Sequence, residues 1–119
     1  LVGIRDEAHL PPGRLVGAEE QDKKLSDLDV WRLTMEIVVE VYEWTKTFPD
    51  DERYGLVGQM RRAAVSISSN IAEGFNRQHN KEYKQFLYIA LGSCAELETQ
   101  IEVCRALRYI DQESIKKVA

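Results

Sequence analysis

A chain of 119 residues with 44% hydrophobic side chains has the length and apolar content of one domain with a modest core, and leaves no room for a second. Its formal charge of −4 and pI near 5.2 give no global attraction to a polyanion, so any contact with nucleic acid needs a local basic patch. No apolar run reaches the length of a membrane span and no signal-peptide pattern opens the chain, so no membrane contact is expected and a reduced cytoplasmic setting is.

Residues 1–25 carry Pro11, Pro12 and Gly13 with scattered charges and no helical period, the pattern of an extended or disordered arm. The first helix is expected to start near Asp27 or Asp29, either of which can accept from the free amides of a first turn, and to end before Phe48 and Pro49. Val30, Leu33, Ile37, Val41 and Trp44 recur at steps of three and four, and Trp31, Val38, Tyr42 and Thr45 widen the stripe. Arg32, Glu36, Glu40 and Glu43 form the opposite, solvated wall.

The second helix is expected from about Asp51 to Glu73, with Gly74 as its stop because glycine tolerates the left-handed conformation that ends many helices. Its stretch Arg61 to Gly74 organises the chain. Val57, Met60, Ala64, Ile67 and Ile71 make an apolar stripe, and Arg62, Ser66, Ser69 and Glu73 a polar one on the far side. Between them the Ala- and Ser-rich flank lets neighbouring backbones approach closely. A short connection through Phe75 to His79 implies an antiparallel third helix, capped by Asn80 and running from about Lys81 to Tyr109.

That third helix presents a core stripe of Tyr83, Leu87, Ala90, Cys94, Leu97, Ile101 and Cys104, with Phe86 and Ile89 beside it. From Gln85 to Ala95 it carries no charge, and Tyr88, Leu91 and Ala95 put apolar surface on the opposite side. A helix that is apolar all round is normally covered all round, so Tyr88, Leu91 and Ala95 are the expected oligomer interface. Cys94 and Cys104, ten residues apart on this helix, stand about 15 Å from each other along its axis, too far for a disulfide. Asp111 can cap a fourth helix, Gln112 to Ala119, which must pack on the bundle or continue to be stable. The expectation is therefore an all-α, up-and-down antiparallel four-helix bundle over residues 26–119 with a short or truncated fourth helix.

The chain carries little chemistry. No Glu-x-x-His, His-Glu-x-x-His, Cys/His cluster or glycine-rich phosphate loop occurs, so no metal, cofactor or small-molecule substrate is expected. Ser66, Ser68 and Ser69 lack a histidine, lysine or elbow motif and suit helix packing better than nucleophilic attack. Glu96 and Glu98 project nearly opposite ways on a helix and cannot act on one substrate together. Antiparallel packing brings Arg61 level with Glu96 and Glu98, which predicts a structural ion pair; the rival role for Arg61 or Arg62 is to grip phosphate. From Asp51 to Lys84 there are six Arg or Lys against four Asp or Glu, and the surplus gathers at Arg77, His79, Lys81 and Lys84. With Arg62, these are the candidate nucleic-acid contacts, against the plainer alternative of a solvated loop.

Phe48-Pro49, Glu52-Arg53-Tyr54-Gly55-Leu56, Gln59-Met60-Arg61-Arg62-Ala63, Ser66-Ile67, Asn70-Ile71-Ala72-Glu73-Gly74, Phe86-Leu87, Gly92-Ser93 and Glu96-Leu97-Glu98-Thr99-Gln100 follow one another between about Leu28 and Asp111. In this order they resemble the 23S rRNA intervening-sequence proteins, a bacterial family of four-helix bundles. More distantly they are similar to the accessory protein of diversity-generating retroelements, a strongly basic pentamer that works with a reverse transcriptase. The resemblance implies a homo-oligomer, a pentamer by analogy, and supplies no catalytic residue. It leaves two roles open: a non-enzymatic oligomer that associates with ribosomal RNA or another nucleic acid through a basic end, or a purely structural or protein-binding scaffold.

Overall fold

The computed structural model describes residues 24–77 and 80–110. They form three helices and no strand: α1 (Asp29–Thr45), α2 (Leu56–Arg77) and α3 (Asn80–Ala106), with single 3-10 turns at Leu25–Asp27 and Asp50–Glu52. The chain is all-helical, and the expected fourth helix, Gln112 to Ala119, lies outside the described residues, as do residues 1–23 of the arm.

α2 is the central element, packing on α1 through one flank and on α3 through the other. Gly74 against Phe86, Ser66 against Ser93 and Met60 against Cys104 pair residues that advance along α2 as they retreat along α3, so the two run antiparallel. The stripe of Val57, Met60, Ala64, Ile67 and Ile71 is buried in full, and so is Tyr83, Leu87, Ala90, Cys94, Leu97, Ile101 and Cys104 on α3. Ile89, expected beside that core, is 51% exposed. On α1 the buried line runs through Thr34, Ile37, Val41, Trp44 and Thr45, while Leu33 and Tyr42, at its borders, are partly exposed. Thr34 and Thr45 enter the core because each hydroxyl is spent on its own helix, donating to the Trp31 and Val41 carbonyls at 2.6 and 2.8 Å.

Local chemistry shifts the helix ends. The N-cap of α1 is Leu28, which has no side-chain acceptor. Asp27 instead accepts from the Lys24 amide at 3.0 Å, and Asp29 is already helical and paired with Arg32. Gly74 does not stop α2, which continues to Arg77. A Cβ on Gly74 would stand 3.3 Å from the Phe86 Cβ and 3.5 Å from the Tyr83 carbonyl oxygen. This glycine is present for the close approach of α3, not for a left-handed turn. The left-handed residue is Arg108, at φ 63°, just past α3. Around it the Tyr109 amide donates to the Cys104 carbonyl at 2.8 Å and the Arg108 amide to the Arg105 carbonyl at 3.1 Å, the pair of bonds of a Schellman motif.

Tyr109 then ties this end of α3 to the α1–α2 turn. Its ring lies 5.1 Å from that of Phe48 and its hydroxyl donates to Glu52 Oε2 at 3.0 Å, a bond that holds the phenol above its ordinary pKa.

Candidate functional site

Arg61 leaves α2 on the side of α1. Its Nε donates to Thr45 Oγ1 at 2.9 Å and its guanidinium lies 4.4 Å over the Tyr42 ring. These contacts replace the expected ion pair with Glu96 or Glu98. The reason is angular: α3 packs on the flank that carries Met60, Ser66 and Gly74, and Arg61 points along the other flank. Glu96 accepts from Gln100 Nε2 on its own helix at 3.2 Å, and Glu98 is half-buried on α3. The four ion pairs between described residues all join positions three or four apart in sequence.

The four candidate nucleic-acid contacts that are described, Arg62, Arg77, Lys81 and Lys84, do not form one patch. Arg77 is paired with Glu73 at 3.5 Å and lies 5.6 Å over the Phe86 ring, so its charge is largely answered within the bundle. Lys81 and Lys84 are exposed on the first turns of α3, and His79 lies outside the described residues. Arg62 sits fifteen residues before Arg77 on α2, about 22 Å along the axis, and folds back against Gly58. It belongs to the opposite end of the bundle, with Arg53 and Arg61.

The polar stripe of α2 is also divided. Ser66 Oγ meets Ser93 Oγ at 2.9 Å and takes a bond from Asn70 Nδ2 at 3.1 Å, so it serves as a polar clasp to α3. Arg62, Ser69 and Glu73 remain exposed. Ser68 is 6% exposed and its hydroxyl has no hydrogen-bond partner.

The outward face of α3 leaves apolar side chains uncovered. Tyr88 is 66% exposed, with Ile89, Ala95 and Val103 also open to solvent. Leu91, expected on this face, is half-buried and packs against the bundle's own core. At the centre of the face stands Gly92, where a Cβ would meet nothing within 4 Å. A mid-helix glycine costs about 1 kcal/mol relative to alanine, and no contact among the described residues requires one here.

Both cysteines are buried and neither is in a disulfide. Burial first, and Glu52 second, push the Cys104 thiol up to about 11 against a weaker backbone hydrogen bond. Its Sγ donates to the Met60 thioether at 3.4 Å. That describes an inert core thiol rather than a nucleophile. Among the described residues no three His, Cys, Asp or Glu side chains gather as a metal site, and no helix is long and apolar enough to cross a membrane.

A polar clasp between small residues on α2 and α3, a close-packed Gly74 and a latch at the Phe48 turn all fall on the motif residues quoted above. Residues 26–119 match the family model of the 23S rRNA-intervening sequence protein. The chain belongs to that family. A comparison with curated proteins finds no match. In this family member the quoted motifs sort by place. Phe48 through Ala63 builds the α1–α2 turn and the Arg61 contacts, Ser66 through Gly74 the α2–α3 seam, and Gly92 through Gln100 spans both faces of α3. Sequence reasoning missed Tyr42 and Thr45 as the partners of Arg61. Their signal was present, since both stand on the α1 flank facing α2, but a nearby carboxylate outranked a hydroxyl and a ring.

Proposed function

We propose that this protein is a non-enzymatic helical-bundle scaffold that self-associates through the outward face of α3 and, as an assembly, associates with ribosomal RNA or another nucleic acid. The observation that carries it is the Tyr88–Gly92–Ala95 line, apolar, outward-facing and centred on a glycine whose added Cβ would meet nothing within 4 Å, which leaves room for a neighbouring helix. By family resemblance the assembly is a closed ring such as a pentamer. Sedimentation velocity of the pure chain at micromolar concentration is expected to give a discrete oligomer, and Tyr88→Glu to give the monomer. A wild-type monomer refutes the assembly.

The nucleic-acid part is supported by the local excess of cations at both ends of α2 in an acidic chain, since repetition in a ring multiplies a small patch. The Glu73–Arg77 pair favours a second role, a scaffold that binds only protein, because it neutralises one cation of the Arg77–Lys84 end. Retention of labelled ribosomal RNA as salt is raised separates the two. Loss of binding over tens to hundreds of millimolar supports the first, and no retention at low salt supports the second.

A further inference from the structure

The turn between α1 and α2 holds an open cleft of about 520 Å³ that the bundle leaves unfilled. Lys46, Arg53 and Arg61 line it against a single carboxylate, Asp50, over a floor that includes Val57. Lys46 is also paired with Glu43 at 3.1 Å, so three cations stand against two acids, still a local inversion in a chain whose formal charge is −4. The other two acids of the turn, Asp51 and Glu52, do not line the cleft, and Glu52 is engaged by the Tyr109 hydroxyl at 3.0 Å.

Arg61 is held ready for an anion. The Thr45 hydroxyl donates to the Val41 carbonyl at 2.8 Å, so its oxygen is left to accept from Arg61 Nε. The Tyr42 ring, its centroid 4.4 Å from the guanidinium carbon, holds the group on its other side. Its Nη hydrogens meet no acceptor among the described residues. A guanidinium fixed at two points and lacking a carboxylate loses little freedom on gripping a phosphate through two parallel hydrogen bonds. At the rim Tyr54 is 90% exposed, with the Arg53 guanidinium 5.9 Å from its ring. An aromatic ring this open, beside cations that can follow a backbone, is the pairing by which proteins hold unpaired bases. A carboxylate ligand would use the cations and leave the ring unexplained.

We propose that this cleft binds single-stranded RNA, with a backbone phosphate on Arg61 and Lys46 and the adjoining base stacked on Tyr54. The inference rests on the nucleic-acid part of the function proposed above, and moves the contact from the Arg77–Lys84 end to the opposite end of the bundle.

The test is fluorescence anisotropy of a labelled ten-nucleotide oligouridylate with the full chain. Tyr54→Ala, at an exposed position, is expected to weaken binding at least about fivefold, the lower bound of base stacking. Lys46→Ala is expected to weaken binding and reduce the log–log salt slope by about 0.7, one single-strand phosphate contact. Arg61→Lys keeps the charge and is expected to bind several-fold more weakly with a native circular-dichroism spectrum, because an ammonium cannot make the paired bonds. The Lys81→Ala/Lys84→Ala double variant is expected to bind within twofold of wild type. Binding lost in that double variant and kept in the three cleft variants overturns the cleft while leaving nucleic-acid association standing. No salt-sensitive binding by the wild type overturns both. Displacement of the RNA by polyglutamate as readily as by unlabelled RNA overturns the cleft as a nucleotide site and marks a carboxylate receptor.

Discussion

Gly74 and Gly92 provide the sharpest check on the packing, because one substitution at two glycines should act with opposite sign. Each lies inside a helix, so replacement by alanine gains about 1 kcal/mol of helix propensity in either case. At Gly92 the added methyl meets nothing within 4 Å, and the gain survives in the monomer. At Gly74 it would sit 3.3 Å from the Phe86 Cβ and 3.5 Å from the Tyr83 carbonyl oxygen, neither of which is the flexible end of a side chain. α3 must then move outward by a few tenths of an ångström. Overpacking of this kind costs about 1–3 kcal/mol, which leaves a net loss of about 1 kcal/mol. The two variants should therefore differ by about 2 kcal/mol. For a domain of this size that separates their melting temperatures by about 10 °C, since 1 kcal/mol moves Tm by about 4–8 °C. Urea unfolding followed by circular dichroism over a tenfold range of protein concentration measures both. It also isolates the second effect of Gly92→Ala, which is expected to weaken self-association by holding the neighbouring helix away. A stabilised Gly74→Ala variant, or a Gly92→Ala variant less stable at the lowest concentration, would refute the reasoning.

Arg108→Gly is expected to stabilise the fold by about 1 kcal/mol, read as a higher urea midpoint, because only glycine adopts the left-handed conformation after α3 without a Cβ clash. Thr45→Val keeps the shape of the side chain and removes the acceptor of Arg61 Nε; a loss of about 1–2 kcal/mol by thermal melting is expected. Ser68→Ala is expected to be neutral to stabilising by up to about 1 kcal/mol in chemical denaturation, since its hydroxyl is buried without a partner. With pH, the Cys104 thiol is raised from 9.0 to about 11, so the folded state holds the proton more tightly than the unfolded one. The stability this contributes is fully present below pH 9 and is lost as pH rises toward 11. Unfolding monitored from pH 8 to 11 should show that decline, and Cys104→Ala should flatten it. In the native protein at pH 8 neither cysteine should react with a thiol reagent on the time scale of an exposed thiol.

The periodic pattern of apolar side chains was enough to locate the three helices of the described residues and one buried apolar line on each of α2 and α3, though not Ala63, Ser68 and Gln100, which are buried beside those lines. A residue's face on a helix follows from 100° per residue whatever the neighbour is. Helix ends were less legible. Gly74 has the composition of a stop and Arg108 does not, yet their places are exchanged. The reason is that the seam with α3 makes a small residue at 74 valuable inside a helix, and the Phe48–Tyr109 latch imposes a sharp end on α3 at whatever residue stands there.

The outward apolar face of α3 was also visible beforehand, because an uncharged run longer than a helical turn cannot be covered by one side of a small bundle. That Leu91 turns inward and Ile89 outward was not, since the two lie near the borders of the stripe and the rotation of α3 against α2 decides between them. The cations show the limit most clearly. Sequence alone determined how many there are and that they cluster near the two connections. Which of them are answered by a carboxylate, which lie on a ring and which face an open cleft depended on the direction each helix flank faces. That direction is a property of helix–helix packing, set by how Gly74 and the Ser66–Ser93 clasp let α3 approach one side of α2 and leave Arg61 to the other.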